Sequence, residues 1–200
     1  VAYGSVDMLS HLFEDYFSLP DNTPVQDGMA ETIMRVVFDN VFIAQQHPDN
    51  YDARANLMWC GTMALHTIIP VGKEGDWGCH NIEHVLSAHY DIAHGAGLAI
   101  VTPPYMKYLC QFHPAKYRQY AVNVLGIDPK GRPDYEVGIE GIERTKALFK
   151  QMGAPVSLHE VGIDSEKLDL MAGEIVQHGP QGNYAKIGKK ELLEILNEAL

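Results

Sequence analysis

The chain has 200 residues, of which 46% are hydrophobic, so it is long enough to bury one substantial core. Its 15 basic and 26 acidic residues give a formal net charge of −11, which disfavours nucleic acid and anionic membrane surfaces as partners. The sequence contains no signal peptide and no apolar run long enough to span a membrane, and its three cysteines are well separated. We therefore expect one cytoplasmic domain, residues 1–200, with reduced thiols.

Helical periodicity from end to end predicts an all-α fold, a bundle of roughly seven to nine helices. The first predicted helix covers residues 3–17 and stops before a proline. The second covers residues 23–47, where Thr23 is a suitable cap and Pro24 occupies the first turn. A third helix, residues 50–68, is nearly apolar beyond its first turn, which predicts a position in the centre of the bundle.

A glycine-rich loop precedes the fourth predicted helix, residues 77–89, and its Trp77 is either a lid residue or a core anchor. Asp91 is expected to cap the fifth helix, with His94 in its first turn and the pair Pro103 and Pro104 kinking or ending it. Further helices are predicted for residues 114–126, 134–153, 164–178 and 189–200.

Two features of the sequence indicate that it is part of a longer protein. The sequence lacks a glycine-rich phosphate loop of the GxGxxG or GxxxxGK type, so it has no usual strand-loop-helix cradle for a dinucleotide. It also begins at Val1, almost inside its first helix. We expect this sequence to be part of a longer protein.

Asp7, His11, His80 and His94 form the most informative pattern of the chain. Asp7 and His11 are four residues apart, so both side chains project from one helical face. His80 and His94 are 94 − 80 = 14 residues apart, and Gly95 permits tight backbone packing or a turn beside the second histidine. Together these residues predict a site with one carboxylate and three imidazoles for a divalent metal.

The types of ligand limit which metal ions the site can bind. Imidazole nitrogens with one carboxylate oxygen suit iron(II) or zinc, whereas calcium and magnesium require more oxygen ligands. Crowding supports the interpretation, because four histidines fall within residues 80–94, in a stretch that otherwise reads as buried and apolar. The remaining coordination positions would be free for water or substrate.

Two other interpretations are open on these residues alone. His80, Glu83 and His84 match H-x-x-E-H, in which two histidines hold zinc and the glutamate activates water for peptide hydrolysis; Glu140 or Glu143 would then supply the third ligand. Outside such a hydrolase, Glu83 is expected to face solvent. The third possibility is a non-catalytic helical interaction domain that binds adventitious metal.

A resemblance to a known family bears on this choice. The stretch HNIEHVLSAHYDIAHGAGLAIVTPPYMK, together with SVDMLSH and YDARANLMW, closely resembles the helical half of the iron-containing alcohol dehydrogenases, particularly their butanol-dehydrogenase-like branch. The resemblance covers essentially the whole chain. It implies that residues 1–200 are the metal-binding catalytic domain of a two-domain dehydrogenase, whose amino-terminal dinucleotide-binding domain, with its GGGS turn, is absent from this sequence.

The resemblance also implies roles for particular residues. Asp7, His11, His80 and His94 would hold the catalytic metal, expected to be Fe(II) with zinc or another divalent ion as an alternative, and His84 would lie beside the nicotinamide of NAD(P) and the substrate. The implied reaction is oxidation of a primary alcohol or reduction of an aldehyde, in which the metal is a Lewis acid on the substrate oxygen and His84 is the candidate proton relay. The chain alone is expected to be inactive, and the full-length protein to be a homo-oligomer.

Overall fold

The computed structural model describes residues 1–200 and contains nine α-helices and no named β-strand, which confirms the predicted all-α fold. The helices are α1 (Ala2–Tyr16), α2 (Pro24–Gln46), α3 (Tyr51–Ala64), α4 (Gly78–Tyr90), α5 (His94–Cys110), α6 (Pro114–Asn123), α7 (Asp134–Gln151), α8 (Leu168–Ile175) and α9 (Lys189–Glu198). A short 3₁₀ turn at His159–Val161 and an isolated antiparallel bridge between Gln181 and Ile187 complete the regular structure. None of these helices combines the length and the apolar character needed to cross a membrane.

Helix α5 forms the centre of the bundle. It packs against α1, α4, α7 and α9, and its residues from Gly95 to Met106 are all buried. Many of these residues are alanine, glycine or β-branched, so neighbouring helices can approach on every side. His94 therefore begins a helix that is buried along most of its length.

The predicted central position of the third helix is wrong. Helix α3 ends at Ala64, and its extensive contacts are with α1 and α2 alone. Its buried side is narrow, and Met58 and Trp59 on the remaining surface are 77% and 66% exposed. The apolar composition predicts burial on every face, but no second layer of this chain covers the outer face of α3.

The predictions for the start and end of α5 also need correction. Asp91 does not cap α5: it follows α4 in a left-handed conformation with φ of 51°, and the residue before α5 is Ala93. Pro103 and Pro104 do not end the helix, which continues to Cys110. Burial of nearly all of α5 against four helices outweighs the local cost of the two missing N–H donors.

Two glycines at the start of α5 allow the close packing that assembles the site. A Cβ on Gly95 would overlap the backbone of Tyr3, so α5 begins directly against the first turn of α1. A Cβ on Gly97 would lie 2.5 Å from Glu83 Oε1, so the same segment also lies directly against α4. The segment from His94 to Gly97 thereby brings α1, α4 and α5 to one point.

Candidate metal centre

A carboxylate oxygen of Asp7 lies at the point where α1, α4 and α5 meet. Asp7 Oδ1 is 3.8 Å from His80 Nε2 and 3.5 Å from His94 Nε2. The same oxygen is 3.6 Å from Nε2 of His11, one helical turn away on α1. The structure therefore brings the four sequence-predicted ligands together, with three histidines around the Asp7 oxygen; two of the four come from α1 and one each from α4 and α5.

The histidine rings surround this oxygen. The rings of His11 and His80 have centroids 4.6 Å apart, and those of His80 and His94 are 5.5 Å apart. Asp7, His80 and His94 each offer a ligand atom within 4.8 Å of the other two. Distances of 3.5–3.8 Å from Asp7 Oδ1 are too long for hydrogen bonds, yet they suit atoms that share a cation between them.

His84 lies beside this group and not within it. Its side chain is exposed, and its ring stacks on that of His94 with centroids 5.5 Å apart and an interplanar angle of 27°. The ring of His80 is more distant, at 6.3 Å. His84 therefore occupies the solvent-facing edge of the cluster, where an imidazole can contact both a bound molecule and water.

The donor atoms fit a divalent metal. Asp7 Oδ1 and His80 Nε2 are buried, yet neither has a hydrogen-bond partner. Leaving two such atoms unpaired is costly unless another group satisfies both. A carboxylate oxygen with imidazole nitrogens is the donor set that iron(II) and zinc accept, so these residues suit that class of ion.

Two buried carboxylates lie behind the histidines, and the sequence predicted neither the role of Glu14 nor the burial of Glu83. Glu14 Oε1 is 3.0 Å from His80 Nδ1 and also accepts a hydrogen bond from the His80 backbone N–H. Glu83 Oε2 is hydrogen-bonded to His94 Nδ1. One signal was available for Glu14, since positions 7, 11 and 14 share one face of a helix.

The charges of these groups favour a cation at the site. Burial lowers the pKa of His80, but the carboxylates of Asp7 and Glu14 outweigh this effect and raise it to about 9. Burial also raises the pKa of Glu14, and the hydrogen bond from His80 offsets only part of that increase. In the absence of a metal, the cluster therefore attracts a proton, because its carboxylates require positive charge nearby.

The loop before α4 forms one wall of the site. Asp76 is buried, and its Oδ1 accepts hydrogen bonds of 2.8 Å from the backbone N–H groups of Asn183 and Tyr184. The next residue, Trp77, has a left-handed φ of 60° and places its ring 5.6 Å from that of His11. Trp77 is 40% exposed and contacts the ring of a predicted ligand, so it covers the site more than it anchors the core.

The hydrolase interpretation of His80, Glu83 and His84 is wrong. Glu83 is not solvent-facing as expected but 0% exposed, with its carboxylate directed at His94 and Ser87, so it cannot reach a water at the open edge of the cluster. Glu140 forms an ion pair of 2.5 Å with Arg132, and Glu140 and Glu143 both line a cavity whose lining contains no histidine. Burial by α5 gives Glu83 a different role from the one the motif predicts.

Comparison with known proteins relates this site to a family. The family model for the carboxy-terminal region of the iron-containing alcohol dehydrogenases matches residues 1–200. NADH-dependent butanol dehydrogenase A of Clostridium acetobutylicum is 43% identical over 99% of this chain and 51% of its own length. The NADPH-dependent aldehyde reductase YqhD of Escherichia coli is 34% identical over 90% of this chain and 46% of its own length.

Solved structures give the same result. NADH-dependent butanol dehydrogenase A from Thermotoga maritima superimposes with a TM-score of 0.91 and 37% identity, covering 99% of this chain and 51% of that one. Escherichia coli YqhD superimposes with a TM-score of 0.94 and 31% identity, covering 100% of this chain and 52% of that one. The chain thus spans about half the length of these relatives. Because the family model extends over every residue, from α1 to α9, this chain belongs to the iron-containing alcohol dehydrogenases.

Proposed function

We propose that this chain is the metal-binding domain of a nicotinamide-dependent dehydrogenase that oxidises a primary alcohol or reduces an aldehyde. The observation that carries the proposal is the position of Asp7 Oδ1, which lies within 3.8 Å of three imidazole nitrogens and has no hydrogen-bond partner of its own. A purely structural polar cluster would satisfy that oxygen with donors at hydrogen-bond distance.

The residues that would hold the metal are Asp7, His11, His80 and His94. We propose Fe(II), with zinc or another divalent ion as an alternative, because nitrogen donors with one carboxylate suit these ions. When bound, the metal supplies Lewis acidity to the substrate oxygen, and the nicotinamide exchanges hydride with the adjacent carbon. The chain contributes fixed ligand positions from three helices packed at the start of α5.

His84 has the position required of a proton relay. It is exposed to solvent while its ring stacks on that of His94, so it lies between the ligand cluster and water. A neutral imidazole there can accept the hydroxyl proton of an alcohol and release it to water, and the protonated ring can return it to an aldehyde oxygen. The same exposed ring offers a face to a nicotinamide.

The nicotinamide cofactor requires a second domain. This chain has no glycine-rich loop to cradle a pyrophosphate, and its relatives are about twice as long. The relatives named above are described as NADH-dependent or NADPH-dependent. We therefore propose that an amino-terminal dinucleotide-binding domain supplies the cofactor and closes over the edge at which His84 is exposed.

The experiment separates metal binding from turnover. The 200-residue chain, stripped of metal and titrated anaerobically with Fe(II) or with Co(II), is expected to bind one ion per chain but to show no nicotinamide-dependent oxidation of a primary alcohol. The same chain fused behind an amino-terminal dinucleotide-binding domain of the family is expected to turn over. His80→Ala in both forms is the control, since it removes one predicted ligand.

Failure of the unfused chain to bind one ion, or equal binding by the His80 variant, would contradict the metal site. Metal binding without turnover in a correctly folded fusion would contradict the dehydrogenase assignment. Tight binding of NADH by the unfused chain in calorimetry would contradict the requirement for a second domain.

A further inference from the structure

Two of the histidines, His80 and His94, contact a buried carboxylate through Nδ1, the ring nitrogen that faces away from Asp7. His80 Nδ1 lies 3.0 Å from Glu14 Oε1, and Glu14 is only 3% exposed. The same carboxylate oxygen accepts the backbone N–H of His80 at 3.0 Å. Glu14 therefore holds both the main chain and the ring of His80, so the ring has little freedom to rotate.

His94 has an equivalent partner on a different helix. Its Nδ1 is hydrogen-bonded to Oε2 of Glu83, which is fully buried, and the other Glu83 oxygen accepts the hydroxyl of Ser87. Space for this carboxylate exists because position 97 is glycine, where a Cβ would lie 2.5 Å from Glu83 Oε1. The packing of α4 against α5 thus accommodates a buried carboxylate directed at one histidine.

These contacts determine where the ring protons reside. A carboxylate accepts hydrogen bonds and, when ionised, donates none, so it favours a proton on Nδ1 of each ring. In each ring Nε2 faces Asp7 Oδ1, at 3.8 Å for His80 and 3.5 Å for His94. Any proton on Nε2 of the metal-free ring leaves when a metal binds there, while the proton on Nδ1 stays. Metal-binding histidines commonly have such a partner, which fixes the tautomer and raises the basicity of the ligand nitrogen.

We propose that Glu14 and Glu83 are positioning residues that keep the proton of His80 and His94 on Nδ1, so that Nε2 is the metal-binding nitrogen, and that hold both rings in place before the metal arrives. This inference rests on the metal site of the proposed function, and it adds two residues that do not touch the metal. A glutamine at either position can present its NH₂ group to Nδ1, which favours the opposite tautomer with the proton on Nε2.

A purely structural role for these carboxylates predicts something different, and the chain offers a matched control. Glu31 is also a buried glutamate on a helix, 7% exposed, and accepts hydrogen bonds from Tyr16 at 2.7 Å and from Gln119 at 2.8 Å. It contacts no residue of the histidine cluster. Glu31→Gln therefore alters a buried, hydrogen-bonded carboxylate without altering a predicted ligand.

The test is a Co(II) titration of the metal-free chain, followed through the d–d absorption bands, with a thermal melt of each metal-free variant. Glu14→Gln and Glu83→Gln are expected to weaken Co(II) binding about 10- to 100-fold and to change the shape or intensity of the bands. Glu31→Gln is expected to lower the melting temperature of the metal-free chain by about as much as Glu14→Gln and Glu83→Gln do. Its Co(II) affinity is expected to stay within about threefold of the parent.

Each outcome decides a particular claim. Parent-like Co(II) affinity and spectra in the Glu14 or Glu83 variant would overturn the role of that residue, whereas equal weakening in the Glu31 variant would show that general destabilisation is responsible. If the parent chain itself binds no stoichiometric Co(II), the proposed metal site fails and this inference fails with it. If the parent chain binds Co(II) and the Glu14 and Glu83 variants bind it equally well, this inference fails while the proposed metal site stands.

Discussion

His80 and His94 form one part of the site, and His11 and His84 form another. The first two are each hydrogen-bonded through Nδ1 to a buried carboxylate. His11 has only ring contacts with Trp77 and His80 besides its approach to Asp7, and the exposed His84 stacks on His94. All four imidazoles lie within one small cluster, yet only two are fixed by hydrogen bonds.

Because of this difference, the rings of His80 and His94 are preorganised for a metal, whereas those of His11 and His84 can adapt their positions. A ring held by a carboxylate has its tautomer and orientation set by the fold, so binding a metal costs little further ordering. A ring held only by packing keeps more freedom and can move when a ligand arrives. We expect His80 and His94 to dominate metal affinity, whereas His11 completes the site and His84 remains available for proton transfer.

The largest effect is expected at Asp7, because its Oδ1 is the atom that both parts of the site share. Asp7→Ala is expected to reduce metal affinity beyond the 10- to 100-fold loss typical of residues outside the ligand set. Metal analysis after equilibrium dialysis measures the loss. Asp39→Ala, at an exposed position of α2, is the control. Retention of one tightly bound ion by the Asp7 variant would show that this residue is not a ligand.

The second prediction concerns turnover by the full-length enzyme. His84→Ala is expected to lower alcohol oxidation by about 10²–10³ near neutral pH while metal content stays near one per chain, because the exposed ring is proposed to relay a proton and not to hold the ion. The loss should shrink at high pH, where the alcohol ionises without help. His80→Ala should lose the metal itself. Ligand atoms of Glu83, His84 and His94 also lie within 4.8 Å of one another, so metal loss in the His84 variant would instead make it a ligand.

The third prediction tests the contact between Glu83 and His94 by adding a methyl group beside Glu83, which changes the available space and leaves the charges unchanged. Gly97→Ala is expected to displace Glu83 from His94, weaken metal binding about 10- to 100-fold, and destabilise the chain by about 1–3 kcal/mol through overpacking. Gly28→Ala in α2 meets no atom within 4 Å and should stabilise by about 0.5–1 kcal/mol. Urea unfolding and Co(II) titration of both variants measure these effects. A Gly97 variant as stable as the parent and with unchanged affinity would mean that Glu83 can bind His94 from another position.

Sequence reasoning predicted the helices, and it predicted that Asp7 groups with three histidines, because both predictions depend on local spacing or on residue chemistry. Helix periodicity placed Asp7 and His11 on one face, and the crowding of histidines indicated a polar site in an apolar segment. The buried state of Glu83 could not be read in this way. It depends on Gly97 of a neighbouring helix, and no local pattern specifies which glycine faces which carboxylate.

The error at α3 has the same origin. A run of apolar residues indicates that some face is buried, but the number of buried faces depends on how many helices pack there. Helix α5 has neighbours on every side and tolerates two internal prolines, whereas α3 leaves Met58 and Trp59 exposed. The difference between these two apolar helices is decided by long-range packing and not by composition.

The smallest predicted effect concerns the adaptable part of the site. Trp77 contacts the rings of His11 and His80 edge-on, at 5.6 Å and 5.5 Å between centroids. Contacts of this kind contribute about 0.5–1.5 kcal/mol, so Trp77→Ala is expected to weaken Co(II) binding by at most about tenfold, and Trp77→Phe by less. Trp59→Ala, on the exposed face of α3, is the matched control and should leave the affinity unchanged. A loss in Trp77→Ala larger than that in Glu14→Gln would reverse the comparison, because packing at His11 would then contribute more to metal affinity than the carboxylate at His80.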